Sequence, residues 1–116
     1  MRSDDGVSTT IRLWSDWSLD PFYVDDGDGS FELTSAEEVA ETFAVPDDVM
    51  RELKAWDELY QDHLNWEDPG NTRWAGEDDH RRYLERGRAA ARLLRRHLPA
   101  DVAIEYLADE TVREYY

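Results

Sequence analysis

Val49, Leu53, Trp56, Tyr60 and Leu64 recur at intervals of three and four residues, which places them on one stripe of an α-helix. A stripe that broad must be buried, so the rest of the chain has to supply an apolar layer to cover it. A second seam follows in Tyr83, Leu84, Gly87, Ala91, Leu94 and Leu98, and Pro99 stops it. Gly87 lies on this seam, where the missing side chain lets another element approach closely. The pattern predicts one long helix from Pro46 to near Asn65. It predicts another from a cap at Asp78 or Asp79 to about Leu98. Pro46 suits a first helical position, and Asp47 and Asp48 suit the positive end of the helix dipole.

The flanking segments read as β-structure. Over Ser8–Ser15, Thr9, Ile11 and Leu13 alternate with Thr10, Arg12 and Trp14, the period of a strand. Val102, Ile104 and Tyr106 alternate in the same way with Ala103, Glu105 and Leu107. Phe22–Val24 and Phe31–Leu33 are short apolar runs separated by Asp25-Asp26-Gly27-Asp28-Gly29-Ser30, whose Asp-Gly steps suit a hairpin turn. Thr34-Ser35-Ala36-Glu37 reads as a capping box with Thr34 as the cap, opening a short helix to about Phe43 that buries Val39, Ala40 and Phe43. The tail Ala108–Tyr116 fits no single element. The expected architecture is α+β. A small, mostly antiparallel sheet is made of the N-terminal strand, the hairpin and the C-terminal strand, and it packs on two long helices and one short helix. The first and last strands are expected to pair. One domain over 1–116 is expected, with a frayed start over Met1–Val7.

Charge narrows the function classes. The formal net charge is −15, and residues 1–48 hold 13 acids against 2 bases while residues 81–116 hold 6 against 8. That field disfavours direct binding to nucleic acid and favours a basic partner. The chain has 5 tryptophans, unlike a disordered acidic tail, and no cysteine, which removes disulfides and thiolate metal sites. No apolar run approaches the roughly 20 residues of a membrane span. Met1–Asp5 opens no signal peptide, so a cytoplasmic location is expected.

Several short motifs stand out: Leu13-Trp14-Ser15-Asp16, Asp20-Pro21, Leu53 with Trp56 and Tyr60, Leu64-Asn65 before Asp68-Pro69, and Gly87-Arg88 with Ala91-Arg92 and Leu94. Together they resemble an uncharacterised family of small acidic proteins from high-GC bacteria, over roughly residues 11–107. The chain departs from that pattern by a longer acidic stretch around Asp25–Val45. The resemblance implies one compact domain and adds no catalytic residue.

Four groups of residues invite a functional reading. Asp26-Gly27-Asp28-Gly29-Ser30-Phe31 resembles part of a calcium loop within Asp25–Glu37. With Asp26 as first ligand, Asp28, Ser30 and Glu37 fall at ligand positions, but Phe31 replaces the required glycine. With Gly29 as that glycine, Val24 and Ser35 fall at the ends. Neither register closes, and an acidic hairpin turn is the plainer reading. Asp16 and Asp20 flank a bend beside Trp14 and Trp17, the best corner for an acid–base pair, although both residues also suit turn capping. Arg81, Arg88, Arg92 and Arg95 line one helical stripe, either a docking face for an anionic ligand or a solvated face. His63, His80 and His97 lack a metal-binding spacing.

Trp14, Trp17, Trp66 and Trp74 lie in or beside loops, where large rings can anchor an interface or enlarge a small core. The expectation is a non-enzymatic protein without cofactor or metal. It grips a basic protein through Trp14, Asp16, Trp17, Asp20, Asp25, Asp26, Asp28, Trp66 and Trp74, in an immunity-type or antitoxin-like role against a toxin or nuclease. The alternatives are a DNA-mimic inhibitor, or a small ligand-binding domain or enzyme using Asp16 and Asp20.

Overall fold

The computed structural model describes residues 8–16, 19–64, 67, 68, 74, 76–109 and 111–116. The expected frayed start over Met1–Val7 lies outside them, as do Trp17 and Trp66. In chain order the elements are β1 (Thr9–Leu13), β2 (Phe22–Asp25), β3 (Glu32–Leu33), α1 (Ala36–Phe43), α2 (Asp47–His63), α3 (Glu77–Arg95), β4 (Val102–Asp109) and β5 (Val112–Tyr115). The five strands form one mixed sheet in the order β3-β2-β1-β4-β5. The fold is α+β.

β1 pairs with β4 in parallel, with Ile11 opposite Ile104 and Leu13 opposite Tyr106, whereas the other three pairings are antiparallel. The first strand thus pairs with the strand that follows the helices, as expected. It does so in parallel because the three helices carry the chain back to the same end of the sheet. The tail that fits no single element in the sequence supplies β5, an edge strand antiparallel to β4.

Strand alternation assigns the faces. Ile11, Leu13, Ile104 and Tyr106 are wholly buried against the helices, where they meet Val49, Leu53 and Trp56 of α2 and Ala91 and Leu94 of α3. Arg12 and Glu105 point to the opposite, helix-free face and pair there, and the Arg12 guanidinium lies 3.8 Å from the centre of the Phe31 ring. The close approach anticipated at Gly87 is real. A β-carbon there would lie 2.6 Å from Trp56 Nε1 and would collide with the Tyr106 hydroxyl.

Three helix starts differ from expectation. The cap of α1 is Ser35 rather than Thr34, and its side chain accepts from the Glu38 amide at 3.1 Å. Pro46 caps α2 from outside the helix, which begins at Asp47, one residue later than expected. Gly76, not Asp78 or Asp79, precedes α3, and those acids sit in its first turn, where the dipole favours them. α3 ends at Arg95, and Arg96–Leu98 continue only as turns.

Candidate functional site

The acidic front is built on a bend that returns β1 to β2. Trp14 N donates to the Pro21 carbonyl at 3.1 Å, and Gln61 Nε2, from the end of α2, donates to the Asp16 carbonyl at 2.7 Å. This fixes the bend on α2 and sets Asp20 against the start of α1. The Asp20 carboxylate accepts from the Ala36 amide at 2.9 Å. Asp20 and Ser35 together therefore satisfy two of the amide donors that a helix start leaves unpaired. Asp20 is engaged as a helix cap, while Asp16 contributes its backbone to the anchoring of the bend.

The hairpin acids also shape backbone. Asp25 Oδ1 accepts from the Gly27 and Gly29 amides at 2.8 and 3.1 Å, and Asp28 Oδ1 accepts from the Ser30 amide at 2.9 Å. Gly27 and Gly29 both have positive φ, 111° and 88°, which the loop needs and which their lack of a side chain permits. The Gly27 amide, with lesser help from Gly29 and Asp28, holds the Asp25 carboxyl below its ordinary range. Asp26 is left pointing to solvent.

Between the β2–α1 junction and α2 opens a cleft of about 790 Å³. Pro21, Phe22 and Met50 give it apolar walls. Its charged lining is Asp20, Glu37, Asp47, Asp57 and Glu58 against Arg51 and Lys54, five carboxylates to two cations. Asp57 is half-buried and forms no ion pair among the described residues. Burial pushes its pKa up, the Ser15 hydroxyl and the Gln61 amide pull it partly back, and the charges of Asp20 and Glu58 add to the rise.

The α3 arginines do not form one open stripe. Arg88 bridges to Glu114 of β5 at 2.8 Å and to Glu85 at 2.7 Å. Arg95 donates to the carbonyls of Val102 at 2.6 Å, Pro99 at 2.6 Å and Tyr116 at 3.1 Å, tying the end of α3 to both strands of the C-terminal hairpin. Arg81 pairs with Asp78 in its own helix at 3.0 Å, and Arg92 is exposed. Arg82 and Arg86 pair with Asp79 and Glu52 at 3.7 and 3.1 Å. These ion-pair partners all lie beyond residue 48, so among the described residues the paired α3 arginines are engaged outside the acidic front.

The two described loop tryptophans have different surroundings. Trp14 is 39% exposed on the helix-free face, with its ring centre 5.6 Å from that of Tyr23. Trp74 is half-buried and stacks on His63 at 3.8 Å, with Tyr83 at 5.0 Å on the core side. Trp74 thus extends the aromatic core, whereas Trp14 presents a ring to solvent. Sequence reasoning passed over the cleft residues Met50, Lys54, Asp57 and Glu58. The available signal was Asp57's position four residues after Leu53, at the border of the buried stripe, where a carboxylate is unusual.

Residues 9–109 match the family described as Serratia CdiI immunity protein-like. No curated protein matches the chain. The matched span takes in β1 through β4, all three helices, the acidic hairpin and the cleft, and it closely follows the extent of the resemblance noted from the motifs. The chain belongs to the Serratia CdiI immunity protein-like family.

Proposed function

We propose that this chain is an immunity protein that binds a toxin protein and blocks it, acting in the cytoplasm without catalysis of its own. Family membership supports a protein partner. The acidic front supports a basic one. Among the described residues, Asp20 caps α1 and Asp25 and Asp28 shape the hairpin, while Arg81, Arg82, Arg86 and Arg88 of α3 are engaged with Asp78, Asp79, Glu52, Glu85 and Glu114.

That independence of the front from α3 is the observation that carries the proposal. A negative field over one part of the surface accelerates encounter with a cationic toxin. Trp14 supplies an exposed ring of the kind that anchors an interface once contact is made. No helix among the described residues is long and apolar enough to cross a membrane.

The test is functional capture. Tagged protein is used at low ionic strength to retrieve partners from its source cells, and the retrieved basic protein is then expressed alone and together with this chain. Growth arrest that co-expression relieves is the expected result. A retrieved protein that is harmless, or whose toxicity persists in the presence of the chain, contradicts the proposal.

A further inference from the structure

We infer that the cleft between the β2–α1 junction and α2 is a socket for one basic side chain of the partner, with the Asp57 carboxylate as its counter-ion. The inference deepens the immunity reading and rests on it for the identity of the side chain's owner.

Three observations converge on the cleft. The first is its size and shape. At about 790 Å³ it falls within the range of roughly 300–1,000 Å³ typical of small-ligand sites, so a whole Arg or Lys side chain fits. Phe22 and Met50 offer apolar surface for the methylene stem, and the acids offer ends for the charged head.

The second is the charge of the lining, five carboxylates to two cations, which selects a cation over an anion. Arg51 and Lys54 are exposed, and neither forms an ion pair with Asp57 among the described residues. The fold therefore leaves Asp57 available to a cation from outside.

The third lies beside Asp57. Ser15 is 2% exposed, and its hydroxyl finds no partner within hydrogen-bond geometry among the described residues. It lies close enough to Asp57 to favour the carboxylate form. Asp57 accepts from Gln61 Nε2 at 3.4 Å but has no counter-ion among the described residues, and a half-buried carboxylate met only by neutral donors is costly in a resting fold. Burial lifts the pKa of Asp57, which shows the same cost from the side of the charge. A guanidinium or ammonium group seated on Asp57 relieves that cost. A lone exposed acid on the hairpin has no such partner and no such wall.

The socket is tested in two arms. In the first, N-acetyl-arginine methylamide is titrated into isotopically labelled protein. Saturable NMR shifts are expected at the Asp57 carboxylate and the Ala36 and Met50 amides, and they should be absent in Asp57→Asn. Shifts spread evenly over exposed acids such as Glu41, and equal in Asp57→Asn, would overturn the socket. In the second arm, the toxin retrieved as above is bound to the wild-type chain, to Asp57→Asn and to Asp78→Asn, which makes the same charge change on α3.

The expected result is at least about a tenfold loss for Asp57→Asn, with Asp78→Asn close to wild type. Circular dichroism and thermal melting confirm that both variants are folded. If wild type and Asp57→Asn bind equally, the socket is overturned while the immunity reading stands. If the wild-type chain binds no toxin, the immunity reading fails, and the arginine titration still decides the socket.

Discussion

The hydroxyl of Tyr106 occupies the space that a β-carbon on Gly87 would fill. It lies there because Tyr106 reaches across from β4 and donates to the Leu84 carbonyl at 3.2 Å. Trp56 closes the same gap from α2, with its ring centre 5.6 Å from that of Tyr106. One glycine thus lets the sheet and both long helices meet at a single point in the core. Gly87→Ala gains helix propensity but overpacks this junction, and overpacking costs typically 1–3 kcal/mol. The variant is expected to be destabilised by about 2 kcal/mol in urea unfolding. Wild-type stability would show that the junction is slack.

Ala44 ends α1 in the left-handed conformation, with φ 54° and ψ 44°, and its amide donates to the Ala40 carbonyl. Glycine holds that conformation without the β-carbon penalty of about 1–2 kcal/mol, although it also frees the unfolded chain. Ala44→Gly is therefore expected to raise stability by about 0.5–1 kcal/mol, read as a higher melting temperature.

Glu114 is clamped by Arg88 at 2.8 Å and accepts the Tyr116 hydroxyl at 2.7 Å. The Arg88 hydrogen bonds, then that of Tyr116, hold its carboxyl below the ordinary value. A depressed carboxylate stabilises the fold above the unfolded-state value of about 4.3 and loses that contribution as the pH falls through the folded value. Glu114→Gln should cost about 1 kcal/mol at neutral pH. The gap to wild type should close in acid, as followed by chemical denaturation across a pH series.

Asp57 has the opposite sign. Its raised pKa means that the folded protein binds the proton more tightly than the unfolded chain does. Stability therefore falls as the pH rises from about 3.9 through the folded value, and stays lower above it. Asp57→Asn is expected to be more stable than wild type at neutral pH and equal to it in acid. Combined with weaker toxin binding, that result marks a residue kept for contact at the expense of stability.

The two helical seams, the Asp-Gly hairpin and the alternation of β1 and β4 were legible because each depends on local spacing. The features that escaped depend on contacts distant in sequence. Thr34 and Ser35 are adjacent and both can cap, and the choice falls to Ser35 where Asp20 arrives from the bend to bind the Ala36 amide. The arginine stripe read as one face because β5 could not be foreseen. Once Val112–Tyr115 pairs with β4, Arg88 finds Glu114 and Arg95 finds the Tyr116 carbonyl. Asp57 reads in sequence as one more helical acid, and it lines a cleft because Asp20–Phe22 come to lie against α2, next to the Gln61–Asp16 hydrogen bond.

The central claim is that the acidic front recruits a basic toxin. It is tested most directly by the association rate of this chain with that toxin, measured by stopped flow from low salt to about 1 M, where the screening length falls to about 3 Å. A steep fall in the association rate, with the dissociation rate nearly constant, is the predicted result. An association rate indifferent to salt would contradict it.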